Sequence, residues 1–361
     1  MKYTFSISIL VFVFFILSCG DKDKTNSESK KPIADDYSAK LDSLILTTNP
    51  RKFNGIVLIT QNGETRYSKE YGFSDFEKKT PISLNDNFRI QSNSKQITAA
   101  LILKEVESGN IKLENPIREY LPDLNQSWAD TVTVNQLLNM SSGVVGIEEP
   151  LAFKAGTGFH YSNPAYGLLG KILEKTTGKK YTEIANTLFK KIGMKNTYCY
   201  VPNKTNSQLS NGYWISNDTI EVVDFKNLNF SQESWSNFVP AGGIISNAHD
   251  LNIWDTKLHN GEILKPETYE LMVNSKVVDS DYTFSDKDSN YGYGVNINEN
   301  EPYKYIGHAG RGIGFVNLKF YMPEKQLDVI ILENTYNRDI DIVYYFEKEI
   351  RKIVLNSSLV E

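Results

Sequence analysis

The order of apolar and polar positions divides the chain into strands at both ends and helices in the middle. Residues 33–47 carry apolar side chains at helical spacing. The segment FNGIVLITQNGETRYSKEYGF then predicts two strands joined at Asn62-Gly63, because Asn-Gly between apolar runs favours a hairpin. Beyond the middle of the chain, four segments predict further strands, namely YGYGVNI, YKYIGHAG, GFVNLKFYM and LDVIILEN.

Helices are predicted between these two groups of strands and at the C-terminus. Asn163-Pro164 marks one helix start, because Asn is a favourable N-cap and Pro suits the first helical position. Gly109 and Gly178 mark two helix ends. The predicted helices span 92–108, 163–177, about 248–260 and about 338–355.

This order of elements predicts an α/β fold in which strands from both chain ends share one antiparallel sheet flanked by helices. The final strands must pair with the N-terminal hairpin, so the mainly helical middle becomes an inserted domain. The sheet part is expected at about 33–91 and 290–356, and the helical insertion at about 92–289. A cleft is expected where the two parts meet, which is a common position for small-molecule sites.

The first residues have the pattern of an export signal. An apolar run from Phe5 to Leu17 follows Lys2, and a helix of this length spans only about 20 Å of a hydrocarbon core of about 30 Å. A signal peptide at 1–18 is therefore favoured over a membrane span. Its end, Ile16-Leu17-Ser18-Cys19, resembles the lipobox of bacterial lipoproteins, which implies lipidation of Cys19. A plain signal peptide is the alternative.

The segment after the signal peptide predicts a tether between a membrane anchor and the folded domain. Residues 19–32 are polar and charged, and they predict a solvated tether that leads to a domain at 33–361. The expected location is the bacterial cell envelope, with a lipid anchor on Cys19 in the membrane.

Composition supports a folded domain and narrows the classes of function. Of 361 residues, 40% are apolar and 23% charged, which is typical of a globular protein with a sizeable core. Basic and acidic side chains are interspersed, with a net charge of −5, so no nucleic-acid partner is predicted. Cys19 and Cys199 have no metal-ligand spacing, and we expect no metal and no cofactor. Cys199 lies in NTYCYV and is expected to be a buried, unreactive thiol.

Three short motifs carry candidate chemistry, and the first is Ser92-Asn93-Ser94-Lys95 at a predicted helix start. Residues three apart share a helix face, which places Lys95 beside Ser92. A serine hydroxyl needs a base within hydrogen-bond reach, and a lysine serves when a dry setting lowers its pKa. The alternative is an N-cap serine beside a solvated lysine. The same S-x-x-K spacing at Ser27–Lys30 lies in the tether and carries no chemistry.

The second motif, Tyr161-Ser162-Asn163, precedes a predicted helix. Tyr161 near Lys95 would shuttle protons, because a neighbouring cation favours the phenolate. Asn163 would offer its amide to a substrate. The alternatives are an N-cap role for Asn163 and an ordinary structural role for Tyr161, one of 21 tyrosines.

The third motif, His308-Ala309-Gly310, ends the strand predicted for YKYIGHAG. Glycine in a strand often marks close approach by a ligand. This strand edge beside Ser92 would bind an extended substrate and donate the N–H of Arg311 to an oxyanion. The alternative is a simple glycine-rich turn. A second H-x-G, His259-Asn260-Gly261, is interpreted as a helix end with a glycine cap.

Together the motifs resemble those of the serine β-lactamase-like family, which includes class C β-lactamases, D-alanyl-D-alanine peptidases, D-aminopeptidases and related esterases. The resemblance covers about residues 50–335 and includes FRIQSNSKQITAALILKEVESGNIKLENPIREYLPDL, TVTVNQLLNMSSGV, GTGFHYSNPAYGLLGKILEKTTG, VPAGGIISNAHDL and GHAGRGIGFVNLKFYMPE. It implies an α/β sheet domain with an inserted helical domain. It also implies an acylated nucleophile at Ser92, proton-transfer partners at Lys95 and Tyr161, and substrate contacts at Asn163 and His308.

Two positions depart from the family pattern. His308 stands where many β-lactamases have the lysine of Lys-Thr-Gly, and a histidine with a pKa of about 6.5 is mostly neutral at pH 7. This resembles the H-x-G forms of D-alanyl-D-alanine peptidases and D-aminopeptidases, and Arg311 is a candidate for the missing positive charge. Met140, in Met140-Ser141-Ser142-Gly143, replaces the usual histidine and is interpreted as a packing change.

The expected reaction is a two-step acyl transfer through Ser92 on a small-molecule or short-peptide substrate, with no required protein partner. The backbone N–H groups of Ser92 and Arg311 would hold the oxyanion. Four functions are open: an amide hydrolase acting on D-amino-acid peptides or cell-wall fragments, a promiscuous esterase, a β-lactamase, and a non-catalytic binding or sensor module. In the esterase, the aromatic stretch from Tyr213 to Phe238 would line an acyl pocket.

Overall fold

The structure is a computed structural model that describes residues 34–202, 208–216, 219–274, 277–280, 283–300 and 302–361. The predicted signal peptide, Cys19 and the tether lie outside the described residues. No helix in the described ranges has the length and apolar character needed to cross a membrane.

Within these ranges the chain forms nine α-helices and sixteen strands, several of them short. The helices are α1 (Ser38–Ile45), α2 (Ser94–Glu107), α3 (Val134–Leu138), α4 (Asn163–Thr177), α5 (Tyr181–Ile192), α6 (Gln232–Gly242), α7 (Ala248–His259), α8 (Pro266–Val273) and α9 (Tyr345–Leu355). The strands are β1 (Gly55–Gln61), β2 (Glu64–Tyr71), β3 (Phe73–Asp75), β4 (Thr80–Pro81), β5 (Phe88–Arg89), β6 (Tyr198–Cys199), β7 (Tyr213–Ser216), β8 (Thr219–Val222), β9 (Ile244–Ser246), β10 (Val277–Asp279), β11 (Ser289–Tyr291), β12 (Asn296–Asn298), β13 (Tyr305–Gly312), β14 (Phe315–Met322), β15 (Leu327–Glu333) and β16 (Thr335–Asn337).

The largest sheet joins the two ends of the chain, which confirms the predicted fold class. Its eight strands run in the order β10-β11-β12-β13-β14-β15-β1-β2, and all neighbours are antiparallel. On one face, Lys319 of β14 pairs with Asp255 of α7, and on the other Val316 packs against Val343. Because both faces are covered, all seven residues of β1 are buried.

Turn and cap residues fix several element ends as the sequence predicted. Asn62 and Gly63 connect β1 to β2 with φ of 53° and 78°, a geometry that Asn and Gly adopt at the lowest cost. Gly178 ends α4 with a left-handed φ of 71°. Gly261 follows the end of α7, so the His259-Asn260-Gly261 segment is a helix end.

Three predicted element boundaries are wrong for local reasons. YGYGVNI forms two strands, because a turn with Gly294 at φ 70° separates β11 from β12. The last helix begins at Tyr345, and Ile340 before it is 69% exposed. The helix predicted at 92–108 begins with a 3₁₀ turn at Gln91–Asn93, and α2 follows it.

The sheet also takes its first edge strand from a segment assigned to the helical insertion. β10 pairs with β11 through Val277↔Tyr291 and Asp279↔Ser289. The C-terminal part of the sheet therefore begins near 277 rather than near 290. This strand brings Asp279 to the cavity that contains the predicted nucleophile.

Lys95 is shielded from water because it lies on the central helix α2, which is packed among other helices. The ten residues from Ser94 to Leu103 are all buried, because α2 contacts α4, α5 and α6 as well as the 3₁₀ turn before it. The long side chain of Lys95, on the first turn of this helix, is thus enclosed by protein.

Cys199 is a buried thiol in β6. It is 3% exposed, and burial raises its pKa well above the ordinary value. The predicted burial of Cys199 is confirmed, and a thiol held in its neutral form is expected to be a weak nucleophile.

Candidate active site

A cavity of about 410 Å³ lies where β13 passes the turn at Gln91–Asn93. Six of the seven predicted catalytic and substrate-binding residues line it: Ser92, Tyr161, Asn163, His308, Gly310 and Arg311. The seventh, Lys95, lies directly behind Ser92 and is fully buried. The fold therefore brings all three sequence motifs to one cavity.

The residues on both sides of Ser92 in the 3₁₀ turn make side-chain hydrogen bonds to β13 and β14. Gln91 Nε2 donates to the Gly312 carbonyl at 2.5 Å, and Asn93 Nδ2 donates to Asn317 Oδ1 at 2.5 Å. Gln91 has a φ of 49°, a strained conformation for a residue with a side chain. Such strain is concentrated at functional sites, where the surrounding structure holds it. These contacts hold Ser92 at the cavity wall.

Lys95 is surrounded by neutral acceptors. Its Nζ lies 3.0 Å from Ser92 Oγ, 2.8 Å from Asn163 Oδ1 and 2.8 Å from the Ala241 carbonyl. That carbonyl lies in the last turn of α6, where it has no partner inside the helix. Burial holds the pKa of Lys95 well below its ordinary value, and no carboxylate in the described ranges pairs with it.

The hydrogen-bond inventory of a neutral lysine matches this setting. A neutral amine has two N–H groups and one lone pair. Protonated Lys95 donates to all three oxygens; once neutral, it would keep its two N–H groups on Asn163 and Ala241 and turn its lone pair toward Ser92 Oγ. Lys95 is therefore arranged to accept the Ser92 proton.

Hydrolysis is expected to rise with pH from the acidic side, because only neutral Lys95 accepts a proton. Since burial lowers the Lys95 pKa, the midpoint should lie well below the ordinary lysine value of 10.5. Between the lowered pKa of Lys95 in the folded protein and its ordinary pKa in the unfolded chain, only the unfolded chain keeps the Lys95 proton. The free energy of unfolding should therefore also rise with pH over this range. The measurement is kcat/KM against pH, where a midpoint near 10.5 would contradict the assignment.

Tyr161 and Asn163 reach the cavity from the start of α4. The Tyr161 ring centroid lies 4.8 Å from Lys95 Nζ, so the predicted neighbours are in contact. The helix cap is Ser162, whose Oγ accepts from the Ala165 N–H at 3.0 Å. The N-cap interpretation of Asn163 is therefore wrong, and its amide is used by Lys95.

Met140 supports the same segment. It is fully buried, and its Sδ accepts from the Ser162 N–H at 3.2 Å. Its carbonyl accepts from the His160 N–H at 2.9 Å. The interpretation of Met140 as a packing residue is confirmed. It contacts the residues immediately before and after Tyr161.

His308 is buried against Tyr291. Its Nε2 lies 3.0 Å from the Tyr291 hydroxyl, and its Nδ1 contacts the Ala309 carbonyl. Burial raises the Tyr291 pKa well above 10, so this phenol keeps its proton and can donate it. A neutral imidazole with its proton on Nδ1 satisfies both contacts. Arg311, whose Cζ lies 5.8 Å from the Tyr344 ring, then supplies the permanent positive charge among the lining residues.

Gly310 lets β13 approach the nucleophile turn. A Cβ at this position would lie 2.6 Å from Asn317 Oδ1, 2.9 Å from the Ile90 carbonyl and 3.0 Å from Gln91 Cβ. Two of these contacts belong to the segment that leads into Ser92. The third position of the H-x-G motif therefore requires a residue without a side chain.

Several cavity residues were not predicted. Asp279, Thr283 and Phe284 come from a segment without a readable hydrophobic pattern, and only the tertiary fold brings them to Ser92. Ala241 lies in the VPAGG segment, but its contact with Lys95 is made by a backbone atom, which no side-chain pattern reveals. No group of three or more His, Cys, Asp or Glu in the described ranges is arranged to hold a metal ion.

The prediction that the aromatic stretch from Tyr213 to Phe238 lines an acyl pocket is wrong. None of its described residues lines the Ser92 cavity. Phe225, Phe230 and Trp235 pack against one another, and Tyr200 joins them at ring distances of 4.9 and 5.5 Å. Tyr200 and Phe225 also contact the Arg89 guanidinium, with ring centroids 3.9 and 4.7 Å from its Cζ.

The fold is that of a known family. The chain matches the Beta-lactamase family over residues 47–347, and it belongs to this family. Its structure resembles a D-amino acid amidase from Ochrobactrum anthropi SV3 complexed with D-phenylalanine, with a TM-score of 0.74 and 20% identity over 88% of this chain and 98% of that one. At this identity the likeness shows the fold alone.

Two curated relatives add detail. Protein flp of Staphylococcus aureus is 25% identical over 304 residues, which are 77% of this chain and 59% of that protein. The chain thus spans about three fifths of the length of this relative. A beta-lactamase of Pseudomonas fluorescens is 30% identical over 175 residues, 44% of this chain and 49% of that one. The general class is a hydrolase fold of the Beta-lactamase family.

Proposed function

We propose that the protein is a serine hydrolase that cleaves amides or esters through a Ser92 acyl-enzyme, acting on D-amino-acid peptides or cell-wall fragments. The observation that carries the proposal is the 3.0 Å approach of buried Lys95 Nζ to Ser92 Oγ. A lysine in this setting serves as the base that a serine nucleophile needs. The site has no evident role in a purely structural protein.

The mechanism uses groups that line or border the cavity. Lys95, assisted by Tyr161, takes the Ser92 proton, and Oγ bonds to the substrate carbonyl carbon. The resulting oxyanion is held by the backbone N–H groups of Ser92 and Arg311. Collapse of this intermediate breaks the bond to the leaving amine or alkoxide, which Tyr161 or Lys95 protonates. Water then attacks the acyl-enzyme by the same proton route and releases the acid.

The charges of the cavity support a short peptide as substrate. Asp279 is 5% exposed, lines the cavity, and accepts from Asn296 Nδ2 at 2.8 Å. Arg311 lines the same cavity. One anion and one cation beside a nucleophile suit a ligand with an ammonium and a carboxylate. The fold shared with an amidase that was solved with D-phenylalanine supports the choice of D-amino acids.

β-lactamase activity is the second candidate function, because the family and the Pseudomonas fluorescens relative carry that name. The histidine at position 308, buried against Tyr291 where many β-lactamases have a lysine, favours the peptide instead. The esterase alternative no longer has the aromatic pocket that supported it.

Cleavage of a D-alanyl-D-alanine peptide with a free amino group is expected to exceed cleavage of nitrocefin and of p-nitrophenyl acetate in kcat/KM. Asp279→Asn should lower kcat/KM for the free-amine peptide about tenfold, because it removes a charge-assisted contact. The N-acetylated peptide should be affected less. Steady-state kinetics with each substrate measures both effects.

The control variant is Asp123→Asn, which removes a carboxylate paired with Lys175 away from the cavity. It should leave all rates unchanged. Ester cleavage without peptide cleavage would replace this proposal by the esterase, and nitrocefin as the best substrate would replace it by the β-lactamase.

A further inference from the structure

A second buried cation lies outside the Ser92 cavity. Arg89 of β5 is 5% exposed. Its Cζ lies 3.9 Å from the ring centroid of Tyr200, 4.7 Å from that of Phe225 and 6.0 Å from that of Trp235. Aromatic rings stack on the flat faces of a guanidinium. Its N–H groups point outward in the plane, so they can still donate hydrogen bonds to other partners.

Arg89 has no anionic partner in the described part of the chain. Other buried arginines are paired: Arg51 lies 2.7 Å from Glu333 and 3.1 Å from Glu347. The phenol of Tyr200, which shares a hydrogen bond with the Arg89 guanidinium, and the phenol of Tyr198 favour its charge, whereas burial lowers its pKa. Burying a cation without a counter-anion is unfavourable, so an anion bound beside Arg89 would be stabilised.

Arg89 lines a cavity of about 240 Å³ that has no acidic side chain among its lining residues. Ser210 lines the same cavity, is 5% exposed, and its buried Oγ has no hydrogen-bond partner. The cavity shares no lining residue with the one that contains Ser92. A cation without an anionic partner and a hydroxyl without a hydrogen-bond partner thus border one space that is large enough for a small ligand.

We propose that this cavity is a binding site for a small oxyanion, a carboxylate or phosphate group, held by the N–H rim of Arg89 and the hydroxyl of Ser210. The planar fork of a guanidinium matches both oxyanions with two parallel hydrogen bonds. The rings of Tyr200 and Phe225 keep the fork in place. The proposal is independent of the hydrolase function, because no atom of the reaction is involved.

Calorimetric titration of the protein with inorganic phosphate and with acetate, at constant ionic strength, tests the site. We expect one anion bound per chain, with affinity at least tenfold lower in Arg89→Met and severalfold lower in Ser210→Ala. Tighter binding of inorganic phosphate would indicate a phosphate ligand, and tighter binding of acetate would indicate a carboxylate ligand.

Two controls locate the binding. Arg338→Met removes a guanidinium that also stacks on an aromatic ring, 4.5 Å from Trp214, and Arg311→Met removes the cation of the Ser92 cavity. Both should leave the affinity unchanged. If Arg89→Met does not fold, Arg89→Lys is the substitute. It keeps the positive charge but lacks the paired N–H donors of a guanidinium, so it should still weaken anion binding.

Three results would overturn the proposal. These are no binding of either anion to the wild-type protein, loss of binding in Arg311→Met alone, and unchanged affinity in both Ser210→Ala and Arg89→Lys. The first of these would mean that water alone fills the cavity. None of them depends on whether the protein hydrolyses a substrate.

Discussion

Replacing Lys95 by Met is expected to slow acylation of Ser92 by about 10²–10⁴-fold, the range that a positioned acid–base group supplies. Met has a similar length and cannot accept a proton. The loss should appear in kcat/KM and in the rate of labelling by a fluorophosphonate. Lys95→Arg should be equally slow, because Arg keeps the positive charge but cannot be deprotonated in a protein. Together the two variants separate proton transfer from simple electrostatic stabilisation.

The matched control is Lys104→Met on the same helix. Lys104 Nζ donates to the Ile263 carbonyl at 3.2 Å, and the residue does not line the Ser92 cavity. It should leave acylation unchanged, and circular dichroism should show the same helix content in all variants. Acylation within about threefold of wild type in Lys95→Met would rule out Lys95 as the base.

Gly310→Ala is expected to reduce acylation about 100-fold, the effect of moving a reacting group by about 1 Å. The added Cβ would lie 2.9 Å from the Ile90 carbonyl and 3.0 Å from Gln91 Cβ, so β13 and the nucleophile turn must separate. Crowding of this kind also lowers the free energy of unfolding by about 1–3 kcal/mol. Denaturant unfolding and labelling kinetics measure the two effects separately.

Gly109→Ala is the control for Gly310→Ala. Gly109 has a φ of 75° and no atom within contact distance of an added Cβ, so Ala there is strained but meets no neighbour. It should lower stability by about 1–2 kcal/mol and leave acylation of the folded protein unchanged. Normal acylation by Gly310→Ala would mean that the close approach of β13 is not needed for catalysis.

Local patterns were sufficient for much of the fold, whereas the candidate site residues were chosen through the resemblance to a family. The Asn62-Gly63 turn and the end of α4 at Gly178 were predicted because each depends on a few neighbouring residues. The pairing of β1 with β15 followed from the order of elements, since a buried strand near the N-terminus needs a partner on each side. The first two motifs stand at helix starts as predicted, but His308-Ala309-Gly310 does not end its strand, because β13 continues to Gly312.

Contacts that depend on tertiary structure were not predictable. Ser162 and Asn163 are both good N-caps, and only the position of Lys95 decides that Ser162 caps the helix. The 3₁₀ turn at Gln91–Asn93 is held by Gly312 and Asn317, more than 200 positions away. Asp279 reaches the cavity through a three-residue strand that is too short to give a periodic signal.

Intact-protein mass spectrometry after exposure to a fluorophosphonate and to a penicillin tests the central claim most directly. The account predicts one adduct per chain, absent in Ser92→Ala and present in Ser108→Ala, which changes an exposed serine at the end of α2. A penicillin adduct would support cell-wall peptides or lactams as substrates, and a fluorophosphonate adduct alone would favour esters. No adduct with either reagent on folded protein, or an adduct that persists in Ser92→Ala, would contradict the assignment of Ser92 as the nucleophile.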